Sequence, residues 1–430
     1  MGMAKERLSW EQELEIIDKT MKAISGVTDP EELVSVYWQG VGDLIPESDF
    51  LAVSRRGETA PDYLITRSSR FTEHPNPWTE RQKLPRMRGG LLGEIVYGNK
   101  PVIIEDLPSK VSHEDPAWFH LQGYSALVGL PQYEHNEGLN VTMMMLSPGQ
   151  TIERAMIPML HWQGGLFERG TQNLVLRNQL ATANAALDRE IKAVGEIQRS
   201  LLPAAVPRME GVDIAAWYLA SSRAGGDYYD FFPMADGRLG LLIADVSGHG
   251  TPAAVLMAIL HALAHQIPGE PSPPGKMLEF INRELISRYT AEPVMFVTAF
   301  YGVYDSATRT LTYANAGHPA PLWRDGRTGK AAALDSGSAG VPMGVLPDTT
   351  YEVQRHTFGA GDTIALYTDG ITEAFGPTGE LYHERRLAAC IEGCEGGAQA
   401  CLDAILRDVA GFAAGTPAMD DRTLVVAKVR

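Results

Sequence analysis

Four places in this chain set aspartates against glycines or at the ends of apolar runs, and these are the residues best suited to chemistry. The run 239–244, LGLLIA, leads straight into Asp245-Val246-Ser247-Gly248-His249-Gly250. The run 362–368 leads into Asp369-Gly370, Asp420-Asp421 immediately precede the apolar run 423–429, and Gly225-Gly226-Asp227-Tyr228-Tyr229-Asp230 is the fourth place. Aspartate is disfavoured in strands, and an ionised carboxylate beside a buried segment is costly unless it is paired or bound to a cation. One Asp-Gly is ordinarily a turn. Four acidic sites fed by hydrophobic strands predict a converging carboxylate cluster, which stays charged only if cations neutralise it. Oxygen-only donors select a hard ion, Mg²⁺ or Mn²⁺.

Other reactive residues read differently. Ser247 and His249 beside Asp245 imitate a hydrolytic triad, but they crowd into one glycine turn and no Gly-x-Ser-x-Gly elbow is present. Their glycines are expected to shape the turn and to start a helix at Pro252. His318 could donate a proton to a leaving group, but the stronger expectation is that it fixes a turn with Asn315. Arg223, four residues before Asp227, is a candidate clamp for a substrate phosphate, because a guanidinium fits phosphate bidentately. The three cysteines, Cys390, Cys394 and Cys401, match neither a disulfide framework nor a zinc spacing. Their positions predict small buried residues on one helix.

Taken in order, GGDYYD (225–230), ADVSGHG (244–250), NAGHPAP (315–321), YTDGITE (367–373) and DDRT (420–423) resemble the metal-dependent PPM-type serine/threonine protein phosphatases, in particular the bacterial SpoIIE/RsbU group. The resemblance covers the last 220 residues or so. It implies an α+β fold in which a β-sandwich is flanked by helices (αββα), with a two-metal centre at one end. By position it makes Asp245 the aspartate shared by both divalent cations, Mg²⁺ or Mn²⁺, with the Val246 carbonyl beside it. Asp227 becomes a ligand on one side, and Asp369 and Asp420 become ligands on the other. Asp227, Asp245 and Asp369 are thus the catalytic set, and the role of Asp421 stays open. The implied reaction is in-line attack of an activated water on phosphoserine or phosphothreonine. The implied substrate is a phosphorylated STAS-type anti-sigma-factor antagonist. The alternative is a ligand-responsive signalling scaffold that binds a phosphoprotein without turning it over.

The elements that must position these residues fall into three regions. Residues 11–165 form an α+β domain. Apolar spacing predicts a helix around 14–24, Asp29-Pro30-Glu31-Glu32 is a helix start, and short strands are expected at 50–54, 63–66, 100–105, 125–130 and 141–146. The proline-rich segment 70–88 is a predicted loop. This region resembles a GAF sensor domain, with a PAS-like domain as the alternative; the resemblance is carried by texture and by the runs 90–104 and 123–131, and the region could receive a small-molecule or protein signal. It has no cysteine for thioether attachment of a bilin, and His74, His113, His120, His135 and His161 show no metal spacing; His161 and Trp162 are expected to pack.

Residues 166–206 form an amphipathic linker helix. Leu176, Leu180, Ala183, Leu187, Ile191, Val194, Ile197 and Leu201 recur at a mean spacing near 3.6, which predicts pairing with a second copy in a homodimer. Residues 211–430 hold the phosphatase-like region. Strands are expected at 239–246, 297–304, 311–315, 363–367 and 423–429, and helices at 252–265, 276–289 and 384–412.

Composition agrees. The 430 residues are 44% hydrophobic and 21% charged, enough for sizeable cores. The net charge of −16 argues against phosphate-tracking nucleic-acid partners and anionic membrane surfaces. No apolar run approaches the roughly 18–20 residues of a membrane span, and the N-terminal stretch lacks a signal-peptide core. The reading is a cytoplasmic protein.

Overall fold

The computed structural model of the chain describes residues 9–44, 48–73, 75–151, 153–267, 273–289, 295–334 and 340–430. The chain divides into two compact units, Met1–Asn184 and Ala185–Arg430.

The first unit opens with α1 (Trp10–Ser25) and α2 (Pro30–Leu44). The Asp29 carboxylate caps α2 by accepting from the Glu31 and Glu32 N–H groups at 2.9 and 3.0 Å, as the Asp-Pro-Glu-Glu start predicts. Next come β1 (Asp49–Ser54), β2 (Asp62–Ser68), β3 (Arg86–Arg88), α3 (Gly90–Tyr97), β4 (Val102–Ile104), α4 (Trp118–Leu121), β5 (Ala126–Glu134) and β6 (Glu137–Leu146). The strands form one antiparallel sheet in the order β3-β2-β1-β6-β5-β4. The segment expected as loop over 70–88 therefore ends in a strand. Three residues at a sheet edge are too short for a period-2 pattern to reveal. Of the two residues expected to pack, His161 stands edge-on to Tyr133, whereas Trp162 is 67% exposed. His74 lies outside the described residues.

Helix α5 (Ile157–Leu201) is 45 residues long, and it begins well before the stretch that periodicity marks. Gly164, Gly165 and Gly170 fall in that early part and weaken its signal, at about 1 kcal/mol each relative to alanine. Packing offsets this: Phe167 stacks on Tyr37 at 4.0 Å, and Thr171 is buried. Among the described residues no helix is long and apolar enough to cross a membrane.

The second unit is built on two five-stranded antiparallel sheets. Its elements are β7 (Val212–Leu219), β8 (Tyr228–Pro233), β9 (Leu239–Val246), α6 (Thr251–His265), α7 (Pro274–Tyr289), β10 (Val297–Asp305), β11 (Thr310–Ala316), β12 (Leu322–Arg324), β13 (Ala331–Ala333), β14 (Gln354–Thr357), β15 (Thr363–Tyr367), α8 (Asp369–Thr372), α9 (His383–Glu392), α10 (Ala398–Ala413) and β16 (Arg422–Val429). One sheet runs β14-β11-β10-β9-β8 and the other β13-β12-β15-β16-β7.

Three cores follow from strand alternation. Tyr229, Phe231, Ile243, Phe300, Leu366 and Val425 meet between the sheets. Tyr228, Leu242, Ala244, Tyr301 and their neighbours face α6 and α7. Tyr367, Leu424 and Val426 face α9 and α10. This is a sandwich with a helical layer on each outer face, as expected.

One expectation fails here. The single helix predicted over 384–412 is two helices, so the cysteines do not share one. Cys390 is on α9, Cys394 follows α9, and Cys401 is on α10. Gly393, Gly396 and Gly397 break the run, and the Asp213 carboxylate restarts it by accepting the Ala398 N–H at 2.9 Å.

Candidate metal centre

Strand parity places the acids. Along β8, Tyr229 and Phe231 point between the sheets, so Asp227, two residues earlier, is directed to the same side. Along β9, Ile243 points between the sheets and Asp245 follows in the same phase. The β8–β9 register ends at Tyr228↔Ala244, one step before the two aspartates. The opposite sheet is arranged alike: Leu366 and Val425 face inward, the register ends at Tyr367↔Leu424, and Thr368 and Thr423 come next.

The two sheet ends meet at Asp227. Its Oδ2 accepts from the Thr368 hydroxyl at 2.7 Å and the Thr423 hydroxyl at 2.6 Å, and all three side chains are buried. Thr423 N–H donates in turn to the Thr368 hydroxyl at 2.9 Å. Asp369 opens α8 just past the end of β15, and Asp420 lies just before β16.

Burial, and then the charge of Asp245, hold the Asp227 carboxyl well above the ordinary carboxylate range. Burial, and then Asp369 and Asp420, push Asp245 up to about 7. Burial, Asp420 and Glu373 raise Asp369 to about 6, and burial and Asp421 raise Asp420. The strongest charges on these acids are one another's. Folding has gathered carboxylates whose own repulsion favours protons over ionisation, which is the condition that bound cations relieve. The donor set of carboxylates and a backbone carbonyl suits hard divalent ions. Among the described residues no three of these aspartates offer oxygens within 4.8 Å of one another, so the set is wider than a cage for a single ion.

Backbone turns bring the pieces close. A Cβ on Gly226 would stand 2.6 Å from the Val246 carbonyl oxygen, so only glycine lets the 225–227 turn pass beside Val246. Gly250 has φ of +78° where the chain enters α6, and Pro252 follows at the helix start, as expected.

The remaining candidates settle into specific contacts. The Asp421 carboxylate accepts from the Ser221 N–H and hydroxyl at 2.7 and 3.0 Å and from the Gly226 N–H at 2.5 Å; it braces the loop that carries Asp227. The Asn315 side chain bonds the His318 N–H and carbonyl, which makes the expected turn. Burial lowers the His318 imidazole to about 3, so it is neutral and is no proton donor at neutral pH. The Ser247 hydroxyl accepts the Phe296 N–H at 2.9 Å and serves as a loop tie. Arg223 pairs with Asp188 on α5 at 2.6 Å, and both side chains are half exposed.

Sequence reading missed Gln198. It is buried on α5, its Nε2 donates to the Gly225 carbonyl at 2.6 Å, and its Oε1 accepts the Gly225 N–H at 2.9 Å. It also missed Thr368 and Thr423. Thr368 directly before Asp369 and Thr423 two residues after Asp421 were the visible signal, but both look like ordinary strand residues.

Residues 235–430 match the family model described as Stage II sporulation protein E (SpoIIE). The chain is 30% identical to phosphoserine phosphatase RsbU of Bacillus subtilis over 184 residues, which is 43% of this chain and 53% of that protein. It is 27% identical to Protein IcfG of Synechocystis sp. over 287 residues, 60% of this chain and 45% of that protein. The chain thus spans about half the length of the curated relatives it matches. Among solved structures, the SiaA-PP2C domain of Pseudomonas aeruginosa superposes with a TM-score of 0.51 at 22% identity, covering 58% of this chain and 99% of that one, a likeness of fold. Asp227 lies upstream of the matched span, yet its hydrogen bonds tie it to Thr368 and Thr423 within it. The match, the two-sheet architecture and the placement of the acids lead to one assignment: residues 235–430 belong to the SpoIIE-type PP2C/PPM phosphatase family.

Proposed function

We propose that this chain is a metal-dependent protein phosphatase acting on phosphoserine or phosphothreonine of a regulatory protein. The observation that supports it most is the gathering of Asp227, Asp245, Asp369 and Asp420 at one end of the sandwich, where burial and neighbouring carboxylates raise all four. Those four carboxylates and the Val246 carbonyl would hold two divalent cations, Mg²⁺ or Mn²⁺. Such ions supply Lewis acidity toward phosphate oxygens and toward water. Thr368 and Thr423 orient the Asp227 carboxylate by donating to its Oδ2. Asp421 and Gln198 hold the 225–227 turn from two sides. Arg223 can turn from the exposed Asp188 to a substrate phosphate, which would replace one oxyanion by another in a bidentate contact. A titration of Mn²⁺ against phosphopeptide hydrolysis tests this reading. Turnover that persists in exhaustively chelated buffer would overturn it.

The substrate proposed is a phosphorylated STAS-type anti-sigma-factor antagonist, on the resemblance of the motifs to the SpoIIE/RsbU group; the similar protein RsbU is named a phosphoserine phosphatase, which supports a phosphoserine ester and no particular protein. Release of phosphate from one phosphorylated STAS protein of the same genome, and from no other, is the expected result.

Regulation would pass through α5 from a GAF-like first unit. That unit holds a cavity of about 210 Å³ lined by Tyr37, Trp38, Phe50, Met143 and Leu160, a size and chemistry for a small apolar signal. Leu176, Leu180 and Leu187 on α5 are more than half exposed in the single chain, which supports pairing with a second copy. Gln198 ties the end of the same helix to the turn before Asp227. Leu180→Glu or Leu187→Glu is expected to give monomers with altered regulated activity. Variants that stay dimeric and normally regulated would remove the linker from this account.

A further inference from the structure

Asp227 and Asp230 are three residues apart, and strand alternation sends them to opposite faces. Asp230 shares the helix-facing side of β8 with Tyr228 and Phe232, where α6 packs. Helix α6 presents His261 and His265 there, one turn apart on one face. The Asp230 Oδ2 lies 2.8 Å from His265 Nε2 and 3.8 Å from His261 Nδ1. One ligand atom from each of the three residues lies within 4.8 Å of the other two. A tetrahedral ion with nitrogen and oxygen ligands at about 2.0–2.1 Å sets those ligands roughly 3.3 Å apart, which the two observed separations bracket.

The surroundings are those of a supported site. Asp230 Oδ1 accepts the Phe231 N–H at 2.7 Å, which fixes the carboxylate plane. The Tyr228 hydroxyl donates to Asp230 Oδ2 and lies 3.0 Å from His261 Nδ1. Asp230 is buried, whereas the His265 side chain is 47% exposed, so the open side faces solvent and can admit water as a further ligand.

We propose that Asp230, His261 and His265 form a second metal site, distinct from the aspartate centre and suited to Zn²⁺ or a similar transition ion. Two imidazoles and one carboxylate favour such borderline ions over Mg²⁺. The site would pin β8, whose first residue follows Asp227, to α6, which starts just after the Asp245–Gly250 turn. It would therefore brace the two segments that carry Asp227 and Asp245.

The test uses the full chain, stripped with chelator and then held in excess Mg²⁺ to occupy the aspartates. Co²⁺ is added as a spectroscopic probe, and Zn²⁺ retained after dialysis is measured by atomic absorption. The expected result is a visible Co²⁺ spectrum of low coordination number, and one equivalent of retained Zn²⁺, in both the parent and Asp245→Asn. Affinity should fall at least about tenfold in His261→Ala and in His265→Ala, by analogy with the loss of supporting groups around metals. Should His261→Ala fail to fold, the exposed position of His265 makes His265→Ala sufficient alone. Equal Zn²⁺ retention in parent and His265→Ala, or none in the parent, would overturn the proposal.

Discussion

The two units bury polarity in opposite ways. In the first, a buried hydroxyl such as that of Tyr63 goes without a partner, but the buried charge is paired. Arg67 pairs with Glu31 and donates to the Pro75 carbonyl, and Ser68 meets His120. Its core of Tyr63, Leu92, Leu127, Val141 and Met143 is otherwise apolar. In the second, burial and neighbouring carboxylates make the gathered acids harder to ionise: Asp245 acts on Asp227, Asp369 and Asp420 act on Asp245, Asp420 acts on Asp369, and Asp421 acts on Asp420. A satisfied ion pair is explained by the fold that contains it. A cluster of like charges is not, and the missing countercharge points to what the unit is built to bind.

The sharpest way to break this contrast is Asp245→Asn. Loss of supporting groups around a metal ordinarily costs 10–100-fold, so removal of a direct ligand is expected to cost more than about 100-fold in phosphopeptide turnover, with the folded state retained by circular dichroism. Near-normal turnover would reduce the cluster to a structural feature like those of the first unit. Thr368→Val and Thr423→Val come next. Each removes one donor to Asp227 and is expected to weaken Mn²⁺ affinity by about 10–100-fold while leaving the sandwich intact, as calorimetric titration of the metal would show.

Gln198→Ala should act on stability. It orphans the buried Gly225 N–H and carbonyl, and the expected loss is about 1–3 kcal/mol, read from denaturant melts of the full chain. The smallest effect is a pH dependence. Asp245 and Asp369 have folded values near 7 and 6, above the ordinary 3.8. A raised carboxyl stabilises the fold when protonated, so this contribution is complete below about pH 4 and is lost as pH rises through 6 and 7. In chelator, the melting temperature of the parent should therefore fall more between pH 5 and pH 8 than that of Asp245→Asn. Added Mn²⁺ should remove most of the difference. Parallel pH profiles in chelator would show that the acids do not repel.

Much of this was legible in the sequence, and the reasons are local. The strand Leu239–Val246 could be read to the residue, because a continuous apolar run bounded by charge and glycine has few other conformations. The Asp29-Pro30 helix start was equally plain. Short edge strands such as Ala331–Ala333 and Gln354–Thr357 were not, since three or four residues carry no period and sheet pairing alone stabilises them. The 384–412 stretch was misread because helical spacing ran on in phase across a glycine break.

What the chain alone determined is the inventory of acids, their position at strand ends, and the alternation that sends each to one face. Those are consequences of backbone geometry and local propensity. Which faces meet was decided only by the packed sandwich. Asp227 and Thr423 are 196 residues apart and share a hydrogen bond, Gln198 reaches Gly225 across a chain reversal, and Asp230 finds two histidines on the helix predicted at 252–265. Such pairings depend on long-range closure of two sheets and their helices, and no local interaction energy specifies them.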